Sequence, residues 1–305
     1  MEPSLRQIRY FVAAATSGQV SRAARDLNVS QSAVTTAIRQ LEDLIGSPLL
    51  RRHARGVSLT HDGTIFLQHA HRIFATVDEA LHAPGALRST LTGKLRVAMT
   101  YTVAGYFIPQ YLERFARNYP SIEILPVEAS RMDIESGLQS GQFDIAVLLT
   151  SNIMDQEGLA YETLIKSPRR LWLSTSHEFL ERDVITLSDV ATQPYIMLTV
   201  DEASNTAQRY WNQAGARPKT LMRTSSVEAV RSLVASGMGV TILSDMVYRP
   251  WSLEGLRVEA QDLATPIPTM DVGLAWAINV ELPPAALAFS KFMQMSADID
   301  RKMFV

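Results

Sequence analysis

Residues 27–46 read LNVSQSAVTTAIRQLEDLIG. Val34, Ile38, Leu41 and Ile45 recur at the spacing that lays an apolar stripe along one side of a helix. Ser32, Thr35, Thr36 and Arg39 make the opposite stripe, with Gln31 at the start. A solvated helix surface favours Glu, Lys and Gln, which form helix well and stay hydrated. Two adjacent threonines with no acid among them make a poor surface for that purpose, so the stripe asks for another one.

The flanking residues supply it. In SLRQIRYFVAAATSG, Ser4 is an N-cap, Leu5, Ile8, Phe11 and Val12 share a helical face, and Gly18 ends the helix. SRAARDLNVS then gives a short helix whose Ala23, Ala24 and Leu27 permit close packing. Asn28 tolerates the left-handed backbone of a tight turn, and Ser30 caps the next helix. Two helices joined by a tight turn, the second with a polar exposed stripe, form a helix-turn-helix, whose second helix fits the major groove of double-stranded DNA. There the short hydroxyls and amide become useful. Gln31 suits adenine, Thr35 and Thr36 suit thymine methyls or phosphates, and Arg39 reaches the backbone. A capped surface helix with incidental threonines is the plain alternative.

Further along, PLLRRHARGVSLTHDG places apolar pairs on either side of RRHARG, a small hairpin with a basic tip. This is a wing, with Arg52 and Arg55 set to touch phosphate or the minor groove. HDGTIFLQHAHRIFATVDEALHA reads as a long helix with Ile65, Ala70, Ile73, Val77 and Leu81 on one side, followed by the hinge-like PGALRSTLTG. Such a helix, lacking a domain of its own to cover, is expected to pair with a copy of itself. His69 and His71 are two apart, point different ways on a helix and suggest no metal site.

Charge agrees with a polyanion-binding head. Residues 1–60 hold eight arginines, no lysine and four acids, a net +4, whereas the remainder of the 305 residues carries −6. The composition, 47% hydrophobic and 20% charged, suits a multidomain globular protein. There is no cysteine, which excludes disulfides, thiol catalysis and a thiol redox switch. No secretory signal or apolar membrane-spanning run is visible, so the expectation is a cytoplasmic protein with no membrane partner.

The segment FVAAATSGQVSRAARDLNVSQSAVTTAIRQLEDLIGSPLLRRHARGVSLTHDG resembles the DNA-binding head of LysR-type transcriptional regulators. The resemblance rests on Ala23–Ala24, Leu27, Ser30–Gln31, the Val34–Thr35–Ile38 spacing, Leu41–Glu42, Gly46, Leu49–Leu50, Arg52, Arg55 and Leu59–Thr60 before Gly63. Val20, Ser32 and Leu50 depart from the aromatic, Pro and Phe usual in the family, changes that touch packing and helix entry. Later matches are Pro109, Leu112, Phe115 and Pro120, then LQSGQFDIAVL and VASGMGVTILSD. In the last of these, Gly237 and Gly239 have a plain role as turn residues.

Beyond Lys94 short apolar strands alternate with helices, the pattern of a parallel α/β sheet. The expected fold class is α/β with an N-terminal all-α winged helix-turn-helix. The resemblance implies an effector part like a two-lobed periplasmic-binding-protein (type II) fold. The expected domains are 1–60 for the head, 61–92 for a dimerisation helix and hinge, and 93–305 for the effector part. Its lobe I spans 93–163 and 268–305, and lobe II spans 164–267.

In open α/β sheets ligands sit beyond the carboxyl ends of strands, against helix N-termini. That points to Thr100, Tyr101 and Thr102 after the first strand, whose hydroxyls and N–H groups suit a carboxylate, with simple capping as the alternative. Thr199 and Val200 hold the equivalent place in the second lobe. The resemblance implies a further ligand position after the strand ending near Glu128, where relatives often carry Ser or Thr and this chain has Arg131 with Ser130 beside it. Arg131 could clamp an anion bidentately or pair with Asp133 or Glu135 as an ordinary surface bridge.

The expected function is a sequence-specific DNA-binding transcriptional regulator modulated by a small anionic effector bound between two lobes. It would act as a homodimer or homotetramer, without catalysis, metal or cofactor. The first competitor is a two-lobed metabolic enzyme with an accessory DNA-binding head, for which no GxxxxGK, GxSxG, HExxH or Cys nucleophile is present. A plain solute-binding protein is the second, disfavoured by the basic head.

Overall fold

A computed structural model describes residues 2–53, 56–81, 91–154 and 157–304. Contacts divide the chain into two units: residues 1–88 with 294–305, and residues 89–293. The last turns of the C-terminal helix therefore group with the first unit.

In the first unit α1 (Leu5–Ser17), α2 (Val20–Asp26) and α3 (Gln31–Ile45) enclose a core of Phe11, Val12, Ala14, Ala23, Val34, Ile38 and Leu41. Local chemistry sets each boundary. Ser4 and Gln7 make a reciprocal capping box at the start of α1, and Gly18 closes it in the left-handed conformation. Asn28 takes φ 52° in the turn before α3, as its short polar side chain allows. Leu5 and Ile45, placed on the apolar stripes by periodicity, are instead exposed because the core ends one turn short of both helix ends.

The wing is a two-stranded antiparallel hairpin, β1 (Leu50–His53) and β2 (Gly56–Leu59). Glu42 of α3 anchors it, one carboxylate oxygen accepting from the amides of Leu49 at 2.8 Å and Leu50 at 3.0 Å. On the other side the Val57 amide donates to the Gly18 carbonyl at 2.8 Å. The wing is thus tied to both ends of the helix-turn-helix.

The long helix α4 (His61–Leu81) differs from expectation. Phe66, Leu67, Ala70, Ile73 and Phe74 pack onto the head core, with the Phe66 ring edge-on to Phe11 at 5.3 Å. It therefore does have a domain to cover, although Ile65 remains exposed. His69 is exposed, while the His71 and Leu81 side chains and most of the hinge fall outside the described residues.

The second unit begins with β3 (Gly93–Met99), followed by α5 (Tyr101–Tyr106), α6 (Pro109–Asn118), β4 (Ile122–Glu128), α7 (Arg131–Gln139), β5 (Ile145–Leu149) and β6 (Leu159–Ser167). The chain then builds a second lobe from β7 (Arg169–Ser174), α8 (Leu187–Ala191), β8 (Pro194–Leu198), α9 (Ala203–Gln213), β9 (Lys219–Thr224), α10 (Val227–Ala235), β10 (Thr241–Ser244) and β11 (Val258–Gln261). It returns through β12 (Met270–Ala277) to α11 (Pro284–Phe304). Two helices rather than one join β3 to β4, because Pro109 lacks the N–H that an interior helical position needs and starts α6 instead.

The first lobe's sheet runs β4-β3-β5-β12-β6. Only β3, β4 and β5 are mutually parallel; β12 is antiparallel to both β5 and β6. The second lobe has a parallel pair β8-β9 and an antiparallel set β10-β7-β11, joined through Tyr195 and Val240. The sheets are mixed rather than parallel throughout, because the chain crosses between lobes twice and its returning strand enters the first sheet the other way round. The strands β6 and β11 were not visible as a repeat of the strand–helix pattern. In the first lobe Phe115 of α6 meets Phe289 and Phe292 of α11 at 5.1 and 5.4 Å. In the second, Trp211 and Tyr195 stack edge-on at 5.5 Å inside an apolar core. Among the described residues no helix is long and apolar enough to cross a membrane.

Candidate functional site

Two places collect the candidate residues, one in each unit. In the head, Ser30 caps α3, its hydroxyl accepting from the Ala33 amide at 3.2 Å and lying 3.0 Å from the Ser32 hydroxyl. Gln31, Ser32, Thr36 and Arg39 are exposed along α3, and Thr35 is half-buried. Ser30, Ser32 and Thr36 also line a groove of about 470 Å³ whose far wall is the start of α1, with Ser4, Arg6 and Gln7. Gln7 donates to Gln40 across it at 2.9 Å. No acid lines this groove, so nothing there repels a phosphate. Gln40 and the start of α1 escaped the sequence reading, although Gln40 follows Thr36 by four residues on the same stripe. Arg52 is exposed on β1, and Arg55 lies outside the described residues.

In the second unit the candidates gather where the lobes meet. Thr100 and Thr102 bracket the start of α5, both almost fully buried, with Tyr101 exposed between them. The Thr100 hydroxyl makes no capping bond, and its buried oxygen has no hydrogen-bond partner. Simple capping therefore does not account for it. The cap comes from the other lobe: Asp201 Oδ2 accepts from the Thr102 amide at 2.6 Å. Asn152 of the first lobe donates from Nδ2 to the Asp201 carbonyl at 2.9 Å, while its own buried Oδ1 has no partner.

Arg131 belongs to the same seam. Its Nη1 donates to Glu135 at 2.9 Å, and its Nε donates to Glu202 of the second lobe at 3.2 Å. Burial opposes the guanidinium charge, but the two carboxylates outweigh it and raise the pKa. The pairing with Glu135 is therefore present, but not as an ordinary surface bridge: the Arg131 side chain is only 14% exposed and also holds a partner across the lobes. Asp133 pairs instead with the Ser130 hydroxyl, which caps α7. Thr199 and Val200 lead into the Asp201–Glu202 turn, the Thr199 amide donating to the Thr224 carbonyl at 2.9 Å. They reach the seam as neighbours of the contacting residues.

A third tie lies at the other end of α5. The Tyr106 hydroxyl donates to Glu228 of α10 at 2.9 Å, Glu228 also pairs with Arg231, and the Arg249 guanidinium sits 5.5 Å over the Tyr106 ring. Burial and then the bond to Glu228 push the Tyr106 pKa up to about 12, so its hydroxyl stays a donor. None of Asn152, Asp201, Glu202, Tyr106 and Glu228 was singled out by sequence. Their partners lie tens of residues away, and no local spacing marks them.

Comparison with known proteins adds an independent finding. Residues 5–64 match the family profile described as "Bacterial regulatory helix-turn-helix protein, lysR family", and residues 88–298 match "LysR substrate binding domain". A "Hydrogen peroxide-inducible genes activator" of Pectobacterium carotovorum subsp. carotovorum is 30% identical over 241 residues, 79% of each chain. The "HTH-type transcriptional regulator CbbR" of Rhodospirillum rubrum is 31% identical over 241 residues, again 79% of each. Among solved structures, HinK, a LysR family transcriptional regulator from Pseudomonas aeruginosa, superposes with a TM-score of 0.63 at 25% identity, covering 97% of this chain and 99% of that one.

Proposed function

Because the chain belongs to the LysR family of bacterial helix-turn-helix regulators, we propose that it reads its operator through Gln31, Ser32, Thr35, Thr36 and Arg39 and answers to a small anionic effector held between the lobes of its second unit. It is a DNA-binding transcriptional regulator with an effector-binding domain, and not an enzyme. Arg52 on the wing, together with Arg55, adds phosphate or minor-groove contacts. Two copies or four, bringing paired heads to paired half-sites, are the assembly this mode of binding calls for, and the cytoplasm is where it would meet its DNA.

The exposed stripe over the first turns of α3, Gln31 to Arg39, which carries no acid, is the observation that supports DNA reading by these residues. Base readers and phosphate contacts respond differently to mutation. Gln31→Ala is expected to cost about 1–3 kcal/mol at the matching base pair and to relax specificity there. Arg52→Ala should weaken binding to all sequences alike and lower the salt slope by about one. Binding titrations against the footprinted operator and a scrambled duplex, at several salt concentrations, separate the two. If Gln31→Ala weakens both duplexes equally, Gln31 is not a base reader.

For the effector, the supporting observation is the buried, unpartnered Thr100 hydroxyl at the seam. Carboxylates, amino acids and sugar phosphates can be screened by thermal shift. A saturating binder at a hundredfold over its Kd should stabilise by about 2.7 kcal/mol. The shift should disappear in Thr100→Val, which keeps the shape and removes the hydroxyl. An unchanged shift would place the effector elsewhere.

A further inference from the structure

The place an effector carboxylate would take is already held by a carboxylate of the chain itself. Asp201 reaches from the second lobe to the Thr102 amide of the first at 2.6 Å, Asn152 holds the Asp201 carbonyl at 2.9 Å, and Glu202 holds Arg131 at 3.2 Å. Three independent bonds from two consecutive residues thus cross the seam. Asp201 and Glu202 sit at φ 49° and 56°, left-handed backbone that residues with a Cβ seldom adopt. The cross-lobe bonds offset that strain, and without them the turn has reason to relax. The closure is also incomplete, since the Thr100 hydroxyl and Asn152 Oδ1 stay buried without partners beside it.

We propose that Asp201 is a built-in competitor for the effector. It determines what enters the seam, because an incoming carboxylate binds only by displacing the Asp201 side chain from Thr102, which frees the Asp201–Glu202 turn and releases Arg131 to Glu135 alone. This rests on the reading of the seam as the place of an anionic effector. An external ligand gains by supplying what Asp201 does not, a group that also bonds the Thr100 hydroxyl and Asn152. A bare carboxylate repeats the internal contact and competes poorly against a tethered one. The displaced and undisplaced arrangements differ in how the lobes are tied together, so ligand exchange at one residue becomes a change in lobe coupling.

The test uses the full chain and two variants. Asp201→Gly removes the carboxylate at a backbone angle that glycine accepts without strain, and Asp201→Asn keeps a weaker, uncharged acceptor at an angle asparagine tolerates. Hydrogen exchange of the peptide carrying the Thr102 amide is read first, without ligand. Exchange should rise at least tenfold in Asp201→Gly and by less in Asp201→Asn. Benzoate and succinate are then titrated calorimetrically. A latch closed nine-tenths of the time or more weakens apparent affinity about tenfold or more, so Asp201→Gly should bind at least one of them that much more tightly than the wild type. Unchanged exchange at Thr102, or equal carboxylate affinity in the wild type and Asp201→Gly, overturns the proposal. If exchange rises but neither probe binds any of the three chains, the tie between lobes stands and the anionic reading of the seam is what fails.

Discussion

Phe11→Ala is expected to abolish specific DNA binding while leaving the effector unit folded. Phe11 is fully buried at the centre of the head, among Val34, Ile38, Leu41 and Leu49 and edge-on to Phe66. Removing a buried phenyl ring costs about 3–5 kcal/mol through lost transfer energy and the cavity left behind. A domain the size of the matched 60-residue segment 5–64 holds a total stability of only about 3–9 kcal/mol. The loss is a large fraction of that, and it also unseats α4, which packs on the same ring. Footprinting and calorimetric unfolding check the outcome together. The footprint should vanish and the transition of the head weaken, while the transition of residues 89–293 stays in place. A retained footprint at unchanged salt and affinity would mean that the head core repacks around the loss.

Gly273→Ala should do to the effector unit what Phe11→Ala does to the head. Gly273 lies in β12, between β5 and β6, where the register with β6 shifts. A Cβ there would run into the Glu162 backbone carbonyl and come within 2.8 Å of the Thr150 side chain. The neighbour is backbone in the middle of a sheet, so it cannot rotate away, and overpacking of this kind costs about 1–3 kcal/mol, at the upper end where backbone must move. Gly105→Ala is the matched control. Gly105 lies in α5 with open space where its Cβ would go, so the change is expected to be neutral or to stabilise by about 0.5–1 kcal/mol. Unfolding of the two variants side by side tests the pair. Equal stability of both would show that the sheet can yield at Gly273.

The parts of this protein that were legible in its sequence are those whose cause lies within a few residues. Ser4 and Ser30 cap helices because their hydroxyls reach an amide three residues on. Asn28 turns the chain because of its own side chain, and the stripe of α3 shows because helical periodicity needs only one element. Where a local pattern ran past its tertiary support, as at Leu5 and Ile45, the periodicity over-read the core.

By itself, then, the sequence determined the helix-turn-helix with its wing, the hydroxyl-rich first turns of α3, and the choice of Thr100, Thr102 and Arg131 as residues of interest. The first two follow from short-range hydrogen bonding, periodicity and charge; Thr100 and Thr102 follow from their place beyond the end of a strand, and Arg131 from the family resemblance. Only the tertiary structure decided what those residues meet. It set α4 against the head, turned β12 antiparallel into the first sheet, and carried Asp201 to Thr102 and Glu202 to Arg131 across separations of 99 and 71 residues. The bonding capacity of a carboxylate is the same wherever it stands in the chain. Its partner is chosen by where two sheets bring their ends together, and no spacing along the sequence records that.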